Sequence, residues 1–215
     1  QPEGGSEVGE RTRIGSTNRK IPNPTDVSAL RLIDKETGEV FTFQNREELS
    51  HFKYQRYLKR YLRTIHSIDE SVGNILDFLD DTGLAKNTLV IYTSDQGFFL
   101  GEHGWYDKRF MYEESFQMPF LARYPAEIPL GSVCENVCCN VDFAPTFLDF
   151  AGLSIPSYMQ GNSLRPLLCG NAPENWSEIA YHRYWMHRDP DHNAYSHYGL
   201  SLIHISEPTR LHGIS

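Results

Sequence analysis

Several features are missing from this 215-residue sequence, and each absence excludes a class of protein. It contains no run of 18 apolar residues, so no segment is long enough for a transmembrane helix. The chain opens with "QPEGGSEVGERTRIGSTNRK", which lacks the apolar core of a secretion signal. It contains no internal repeat and no low-complexity tract. We therefore expect one large domain, or part of a larger one.

A surplus of positive charge is also missing, since the formal net charge is −8 at pH 7. This balance argues against nucleic acid as a partner. It does not exclude an anionic substrate, because a local cationic group outweighs a diffuse net charge at contact distance. Cysteine is scarce, with four residues, and the Cys-x3-Cys-Cys spacing at 134–139 lacks a second ligand pair for zinc. We expect packing thiols, which leave the cellular compartment open.

The residues that are present favour an α/β fold. Apolar side chains recur at three- and four-residue steps over residues 47–81, which predicts a long amphipathic helix ended by Gly83. After a short loop, the apolar run "TLVIYTS" (88–94) predicts a strand buried on both faces. Helix, short loop and buried strand in succession are typical of an α/β sandwich.

Weaker patterns predict the remaining elements. The polar, Gly/Pro-rich residues 1–28 predict a loop, and "RLIDKETGEVFTF" (31–43) predicts a hairpin. A second core strand is expected within 118–125 and a third strand within 178–185. Residues 140–152 predict a short helix that begins with Asp142 as N-cap and ends at Gly152.

Chemically active side chains gather directly after the strand at 88–94, in "SDQGFFLGEHGWYDKR". In open α/β sheets, ligands bind beyond the carboxyl ends of strands, where Asp95 and Gln96 stand. A carboxylate and a carboxamide offer two hard oxygen ligands, which suit Ca²⁺ or Mg²⁺. The structural alternative is that Asp95 caps a turn and Gln96 hydrogen-bonds the backbone.

The residues that follow add an anion-binding set to this pair. His103 could donate to an oxyanion or protonate it. Lys108 supplies a point charge that binds a tetrahedral anion. Intervening glycines allow the backbone to turn tightly and to approach a ligand closely: Gly97, Gly101 and Gly104. Together these residues predict a pocket for an anion and a metal.

The block "YTSDQGFFLGEHGWYDKRFMYEESFQMPFLARYP" closely resembles the sulfatases of the alkaline-phosphatase-like superfamily. The resemblance continues through "NVDFAPTFLDFAG", "MQGNSLRPLL" and "RYWMH", and it covers about residues 50–200. It implies an alkaline-phosphatase-like α/β/α sandwich, of which this chain holds the C-terminal part of the catalytic domain plus the start of the C-terminal subdomain. The implied division is a loop-rich segment (1–46), the second half of the catalytic domain (47–170) and the start of the subdomain (171–200). The implied location is secreted, periplasmic or lysosomal.

The resemblance also assigns roles. Asp95 and Gln96 correspond to two ligands of a single Ca²⁺. Lys108 corresponds to the lysine that holds the sulfate and stabilises charge on its oxygens, and His103 to a histidine of the same pocket. Arg109 is expected mainly as a structural ion-pair residue and, more weakly, as a substrate contact. The implied reaction is sulfate ester hydrolysis, in which a formylglycine hydrate attacks sulfur and the alcohol leaves.

The chain departs from the family pattern where the nucleophile is concerned. The family makes its formylglycine from Cys or Ser in a C/S-x-P-x-R motif near the N-terminus, and that motif and the aspartate pair of the metal site are missing from the expected region. Asp80-Asp81 lies at a helix end and is expected to face solvent. "SEPTR" (206–210) fits the motif but follows the Asp-Gln pair and carries Glu207 where a small residue is usual. We therefore expect a fragment of an enzyme, inactive by itself, with the nucleophile in the missing N-terminal part.

Substrate identity rests on "YHRYWMHRDPDHNAYSHYG" (181–199), in which histidines lie among aromatic residues. Aromatic rings stack on sugars and histidines hydrogen-bond hydroxyls or sulfates, so His187 and His197 are candidate contacts to a sulfated carbohydrate. A histidine-rich surface loop is the structural alternative. The oligomeric state stays open.

Two other functions remain possible for the parent. A phosphatase, phosphodiesterase or phosphonate hydrolase of the same superfamily is one, although Gln96 offers only oxygen, whereas two-metal members need a nitrogen ligand. A non-catalytic, metal-stabilised carbohydrate-binding member is the other.

The tail generates the first prediction. After "HYGL", sulfatases of this type continue with an Arg-rich strand, whereas this chain reads "SLIHISEPTRLHGIS". The segment lacks the expected Tyr-Lys pair and looks like translated sequencing-adapter read-through. We predict that residues 201–215 are not native. An independent read of the source DNA across codon 200 should therefore encode different residues after Leu200. A read that returns the same residues, followed by a genuine stop codon, would show that the tail is real.

Overall fold

The structure is a computed structural model that describes the backbone of residues 12–14, 21–185, 195–202 and 211–213, and the side chains of 21–185 and 195–200. The chain divides into two compact units, residues 1–75 and 76–215.

The first unit is built on a small three-stranded sheet of order β1-β2-β3, formed by β1 (Thr12–Ile14), β2 (Leu32–Asp34) and β3 (Val40–Phe41). The antiparallel pairing of β2 with β3 confirms the predicted hairpin. The pairing of β1 with β2 is parallel, so the expectation of loop throughout 1–28 is wrong at this point. A buried cluster of apolar side chains forms the core of the unit: Ile21, Val27, Leu30, Leu32, Phe43 and Leu49.

Asp34 holds the hairpin turn and ties it to a helix. Its carboxylate accepts hydrogen bonds from the backbone N–H groups of Glu36 (2.8 Å) and Thr37 (3.2 Å), which close the turn. It also forms an ion pair with Arg56, with 2.6 Å between oxygen and nitrogen. The Glu36 N–H and the Arg56 guanidinium, in that order, lower the pKa of Asp34 to about 2.

The long helix α1 (Arg46–Asp81) agrees with the predicted helix at 47–81 and begins one residue earlier. Gly83 follows it with φ 71°, a left-handed conformation that glycine adopts without steric cost and that ends the helix. Every side chain from residue 62 to residue 71 is exposed, including the apolar Leu62, Ile65 and Ile68. Among the described residues, the apolar stripe of this stretch therefore has no covering layer.

The second unit alternates short strands and helices. In chain order these are β4 (Val90–Thr93), β5 (Phe99–Leu100), β6 (Tyr106–Asp107), α2 (Glu113–Phe116), β7 (Phe120–Arg123), β8 (Val133–Cys134), α3 (Phe143–Phe150), α4 (Arg165–Leu168), β9 (Ile179–Tyr184), β10 (His197–Leu202) and β11 (Leu211–Gly213). Short 3-10 turns lie at Leu84–Asn87, Glu102–Gly104 and Asn140–Asp142.

The main sheet of this unit has the order β4-β7-β11-β8. β4 pairs antiparallel with β7, and β11 pairs parallel with β7. β4 is thus an edge strand, with a hydrogen-bonded neighbour on one side. All four of its side chains are half-buried, so the prediction of burial on both faces is wrong for this strand. The continuous apolar run gave no sign that one side of the strand lacks a neighbour within the described residues.

The core of the second unit lies between β7 and the loop-helix segment that carries α4. Its buried members are Phe120, Ala122, Leu164, Leu167 and Leu168. Half-buried thiols border this core, and all four cysteines are free, as expected of packing residues. Burial is the largest cause that raises the pKa of each thiol, in Cys138 to about 12.

Asp142 does not cap α3 in the predicted way. Its backbone is already helical (φ −83°, ψ −13°), and its side chain makes no capping hydrogen bond to α3. Instead its carboxylate accepts the N–H groups of Cys139 and Asn162, both at 2.8 Å. Asp142 therefore joins two loops, while Gly152 ends the helix segment with φ 69°, as predicted.

The tail contributes one strand to the sheet, since β11 lies between β7 and β8. The segment "SEPTR" (206–210), which fits the nucleophile motif, falls outside the described residues. Strand pairing does not test whether 201–215 is native, and that hypothesis stays a prediction.

The Asp34 network leads to a prediction about stability. Asp34→Ala should lower the free energy of unfolding of the first unit by about 2–3 kcal/mol near neutral pH, because charge-assisted hydrogen bonds are lost. The folded-state pKa of Asp34 is depressed, so its contribution is present above the unfolded value of about 4 and is lost as pH falls through about 2. The difference in unfolding free energy between the wild type and Asp34→Ala should therefore decrease as the pH is lowered from 5 to 3 in urea-unfolding measurements.

Glu39→Gln is the matched control, because Glu39 is an exposed acid at the other end of the same turn. It should leave the unfolding free energy within about 0.5 kcal/mol of wild type. A gap for Asp34→Ala that stays constant with pH would contradict an ionic role.

Candidate active site

The site begins where β4 ends. Asp95 is exposed and Gln96 is half-buried in the loop that follows Thr93. Ser94 supports this loop, since its hydroxyl donates to Asp95 Oδ1 (3.4 Å) and accepts the Gln96 N–H (3.5 Å). No hydrogen bond joins the Gln96 side chain to another described residue. The carboxylate and the carboxamide thus stand side by side at the strand end, as predicted from the sequence.

Gly97 fastens this loop to α2. Its N–H donates to the carbonyl oxygen of Ser115 (2.8 Å). A Cβ at position 97 would collide with the carbonyl oxygens of Glu114 and Gln117, so only glycine permits this approach of two backbones. The position of the Asp95-Gln96 pair is therefore tied to a helix that begins eighteen residues after Asp95.

The antiparallel hairpin β5-β6 carries the rest of the predicted pocket. Phe99 pairs with Asp107, and Leu100 pairs with Tyr106. Two residues here have positive φ without being glycine, His103 (φ 55°) and Asp107 (φ 90°). Such conformations are uncommon for L-residues and cluster at functional sites, where the surrounding structure holds them in place.

Aromatic side chains supply that surrounding structure. Phe99 is fully buried and meets Trp105 and Tyr112 edge-on, with ring centroids 5.7 Å and 6.0 Å away. Trp105 stacks on Phe110 at 4.2 Å. These four rings, the aromatic cluster, fix the path of the chain from residue 99 to residue 112.

His103 lies against this cluster and is held by an acid. Its ring packs on Tyr112 at 4.7 Å and meets Phe99 edge-on at 6.2 Å. Its Nε2 lies 3.2 Å from Glu114 Oε1 in α2. The ring is thus oriented from two sides, although nearly half of the side chain, 46%, remains exposed.

Lys108 and Arg109 follow β6 and differ in their contacts. Lys108 is half-buried and makes no hydrogen bond or ion pair with any described residue. Arg109 forms an ion pair with Asp107 at 3.4 Å, which agrees with the structural role expected of it. Within the described part of the chain, Lys108 is therefore a cation of this segment without an ion-pair partner.

The histidine-rich region comes close to the same segment. His197 in β10 stacks in parallel with Phe110, with centroids 6.3 Å apart, and lies 5.5 Å from His182 in β9. His197 Nδ1 donates to the carbonyl oxygen of Tyr195 at 2.7 Å. The Nε2 atoms of His182 and His197 are buried without a hydrogen-bond partner in the described part of the chain. Burial, followed by the neighbouring His197, lowers the pKa of His182.

These contacts place His197 against Phe110, next to the Lys108-Arg109 segment, whereas His187 lies outside the described residues. The β9-β10 hairpin is antiparallel and pairs His197 with Tyr184. At Gly199 of this hairpin an added Cβ would meet the end of the Met111 side chain, which shows how closely β10 approaches the segment after Arg109.

The donor set fits a hard divalent cation in part. Asp95 and Gln96 provide oxygen ligands of the kind that Ca²⁺ prefers. Within 21–185 and 195–200, no group of three or more His, Cys, Asp or Glu side chains could hold a metal ion. Asp80 contributes nothing here, because its carboxylate binds Arg123 at 2.8 Å and 3.0 Å. The described residues therefore supply a partial ligand set.

Sequence reasoning did not single out Glu114 or Phe116. Glu114 holds His103, and Phe116 packs on His182 at 4.9 Å. Both lie in "YEESF", where acids at the start of a short helix look like ordinary helix-start residues. Only the tertiary contacts give them a part in the site.

Comparisons with known proteins identify a family and relatives of this chain. The family described as N-sulphoglucosamine sulphohydrolase, C-terminal, matches residues 101–205. An N-acetylglucosamine-6-O-sulfatase from Bacteroides thetaiotaomicron is 50% identical over 161 residues, which are 72% of this chain and 29% of that protein.

Two solved structures share the fold. One, a complex with its substrate D-glucosamine-2-N,6-O-disulfate, is 49% identical with a TM-score of 0.66 over 70% of this chain and 31% of that one. The other, a phosphonate monoester hydrolase from Silicibacter pomeroyi, is 30% identical with a TM-score of 0.54 over 61% of this chain and 26% of that one.

The chain thus spans about three tenths of the length of the sulfatase relatives it matches. Among the described residues, no helix is long and apolar enough to cross a membrane. The matched family, the relative and the structural neighbours agree with the resemblance found in the sequence. By sequence and by fold, the chain belongs to the sulfatases of the alkaline-phosphatase-like superfamily.

Proposed function

We propose that the intact protein hydrolyses sulfate esters of a carbohydrate, and that this chain provides one side of its active site. The observation that carries the proposal is the attachment of two elements to one short helix. Gly97, next to the oxygen ligands Asp95 and Gln96, bonds to Ser115, while His103 bonds to Glu114. A metal-binding pair and a proton-carrying ring are thereby held by the same four residues of α2.

Each side chain has a role that its environment supports. Asp95 and Gln96 bind one Ca²⁺, which when bound would orient the nucleophile and neutralise sulfate oxygens. Lys108, without a partner among the described residues, binds the sulfate by its charge. His103 donates to the leaving oxygen. The nucleophile is expected to be a formylglycine in a part of the parent outside this chain.

The β9-β10 hairpin is proposed to meet the sugar. His197 presents a buried Nε2 without a hydrogen-bond partner in the described part of the chain, next to the ring of Phe110. Because its Nδ1 donates to Tyr195, the neutral ring carries an acceptor lone pair on Nε2, which suits a hydroxyl group of the substrate. A relative named as an N-acetylglucosamine-6-O-sulfatase and a neighbour solved with a glucosamine disulfate support an amino sugar as the substrate class. His187 and Arg109 remain weaker candidates for the same contact.

Phosphonate ester hydrolysis is the second candidate, because a phosphonate monoester hydrolase shares the fold at 30% identity. Hydrolysis of a 6-O-sulfated N-acetylglucosamine and of a phosphonate monoester by the intact parent should be compared by kcat/KM. A preference for the phosphonate ester would overturn the sulfatase proposal. Activity on neither, together with a parent sequence that lacks C/S-x-P-x-R, would favour the non-catalytic carbohydrate-binding alternative.

The metal proposal predicts the effect of Asp95→Ala in the intact parent. Removing one charged oxygen ligand should lower calcium content measured by atomic emission and abolish calcium-dependent activity, because ligand number and charge set affinity. Asp81→Ala is the control, since Asp81 is an exposed acid at the end of α1 and should leave both quantities unchanged. Full calcium content in the Asp95 variant would contradict the assignment.

The charge proposal predicts the effect of Lys108→Ala. A preorganised charge aimed at developing negative charge contributes about 10²–10³ in rate, so kcat/KM should fall by about that factor while circular dichroism stays native. Lys86→Ala, at an exposed lysine in the 3-10 turn after α1, should change kcat/KM by less than about twofold. A loss below about fivefold for the Lys108 variant would remove it from the catalytic set.

A further inference from the structure

We propose that Glu114 is the positioning residue of His103, and that it leaves Nδ1 as the atom through which His103 meets the substrate. The expected effect of Glu114 on catalysis rests on the proposed function. The hydrogen bond between Glu114 and His103, and the tautomer that it sets, do not depend on that function. Glu114 Oε1 lies 3.2 Å from His103 Nε2.

The chemistry of the two groups assigns the proton. An ionised carboxylate has no hydrogen to give and can only accept, so Nε2 of His103 must donate. The neutral ring then carries its proton on Nε2 and a lone pair on Nδ1, and in the protonated ring Nδ1 becomes the remaining donor. Nδ1 makes no hydrogen bond with any described residue, so it is the nitrogen left for a ligand.

The surroundings hold this arrangement in place. The acid is the more enclosed partner, with 28% of its side chain exposed against 46% for the histidine. Tyr112 and Phe99 restrict the ring, and the left-handed backbone of His103 (φ 55°, ψ 15°) sets the direction in which the side chain leaves the chain. A 180° flip of the ring would put Cε1 in the place of Nε2 and give up the bond to Glu114.

The position of Glu114 is itself fixed by the loop that carries Asp95 and Gln96. Gly97 packs against the backbone of α2, where a Cβ would collide with the Glu114 carbonyl oxygen. A displacement of α2 would therefore move the Asp95-Gln96 loop and His103 together. Glu114 acts through His103 and does not itself touch the reacting atoms.

The geometric part is tested without any assay of activity. In the intact parent labelled with ¹⁵N-histidine, and with His103 assigned by its loss in His103→Gln, long-range ¹H–¹⁵N spectra above pH 8 should show His103 as the Nε2–H tautomer. Glu114→Ala should allow the Nδ1–H form to appear, because the acceptor is gone. An Nδ1–H tautomer in the wild type would overturn the proposal, whatever the enzyme's activity.

The catalytic part is tested by a double-mutant cycle on two sulfate esters, one with a good and one with a poor leaving group. Glu114→Ala should lower kcat about tenfold for the poor leaving group, less for the good one, and leave KM within about twofold. Glu114→Gln should recover part of the loss, since its amide oxygen can still accept from Nε2. In His103→Ala, adding Glu114→Ala should cost nothing further, because the two residues act as one unit.

The control is Glu174→Gln, the same loss of charge at an exposed acid, which should leave kcat unchanged. Additive losses in the double variant, or equal losses for both esters, would reduce Glu114 to a structural residue. A parent inactive on every sulfate ester would instead overturn the proposed function, and the tautomer result would stand separately.

Discussion

The candidate site depends on one backbone contact, the hydrogen bond from the N–H of Gly97 to the carbonyl oxygen of Ser115. Neither group belongs to a side chain that could do chemistry. The contact nevertheless holds the loop of Asp95 and Gln96 against the helix that holds His103, and it leaves no space for a Cβ at position 97. A backbone bond with excluded volume on both sides is stiffer than a pair of flexible side chains, which suits elements that must keep a fixed separation.

Aromatic rings and charged side chains surround this contact. The aromatic cluster of Phe99, Trp105, Phe110 and Tyr112 reaches from the β5-β6 hairpin to His197, so two segments nearly ninety residues apart share one apolar surface. Arg109 is neutralised locally by Asp107, whereas Lys108 beside it makes no such pair with a described residue. Adjacent cations in one loop thus differ in their contacts, because Asp107 pairs with Arg109.

The sequence predicted the elements with strong local signals and missed those that depend on distant contacts. The helix at 47–81, its glycine stop and the hairpin at 31–43 follow from periodicity and turn residues, and the structure confirms them. The edge position of β4, the bond from the Asn162 N–H to Asp142 and the link from Glu114 to His103 involve residues 11 to 33 positions apart, so no local pattern contains them. The roles of Asp95, Gln96, Lys108 and His103 came from resemblance to the sulfatases and remain proposals.

The uncovered stretch of α1 has a consequence for how the isolated chain behaves. Residues 62–71 form nearly three helical turns in which every residue is exposed, and they include β-branched isoleucines and Ser and Asp, which are poor helix formers. A helix segment of this length is marginal without tertiary contacts. The packed turns at either end therefore stabilise this stretch, and we expect the helix to open here first. Its backbone amides should then exchange with solvent, and a protease should gain access.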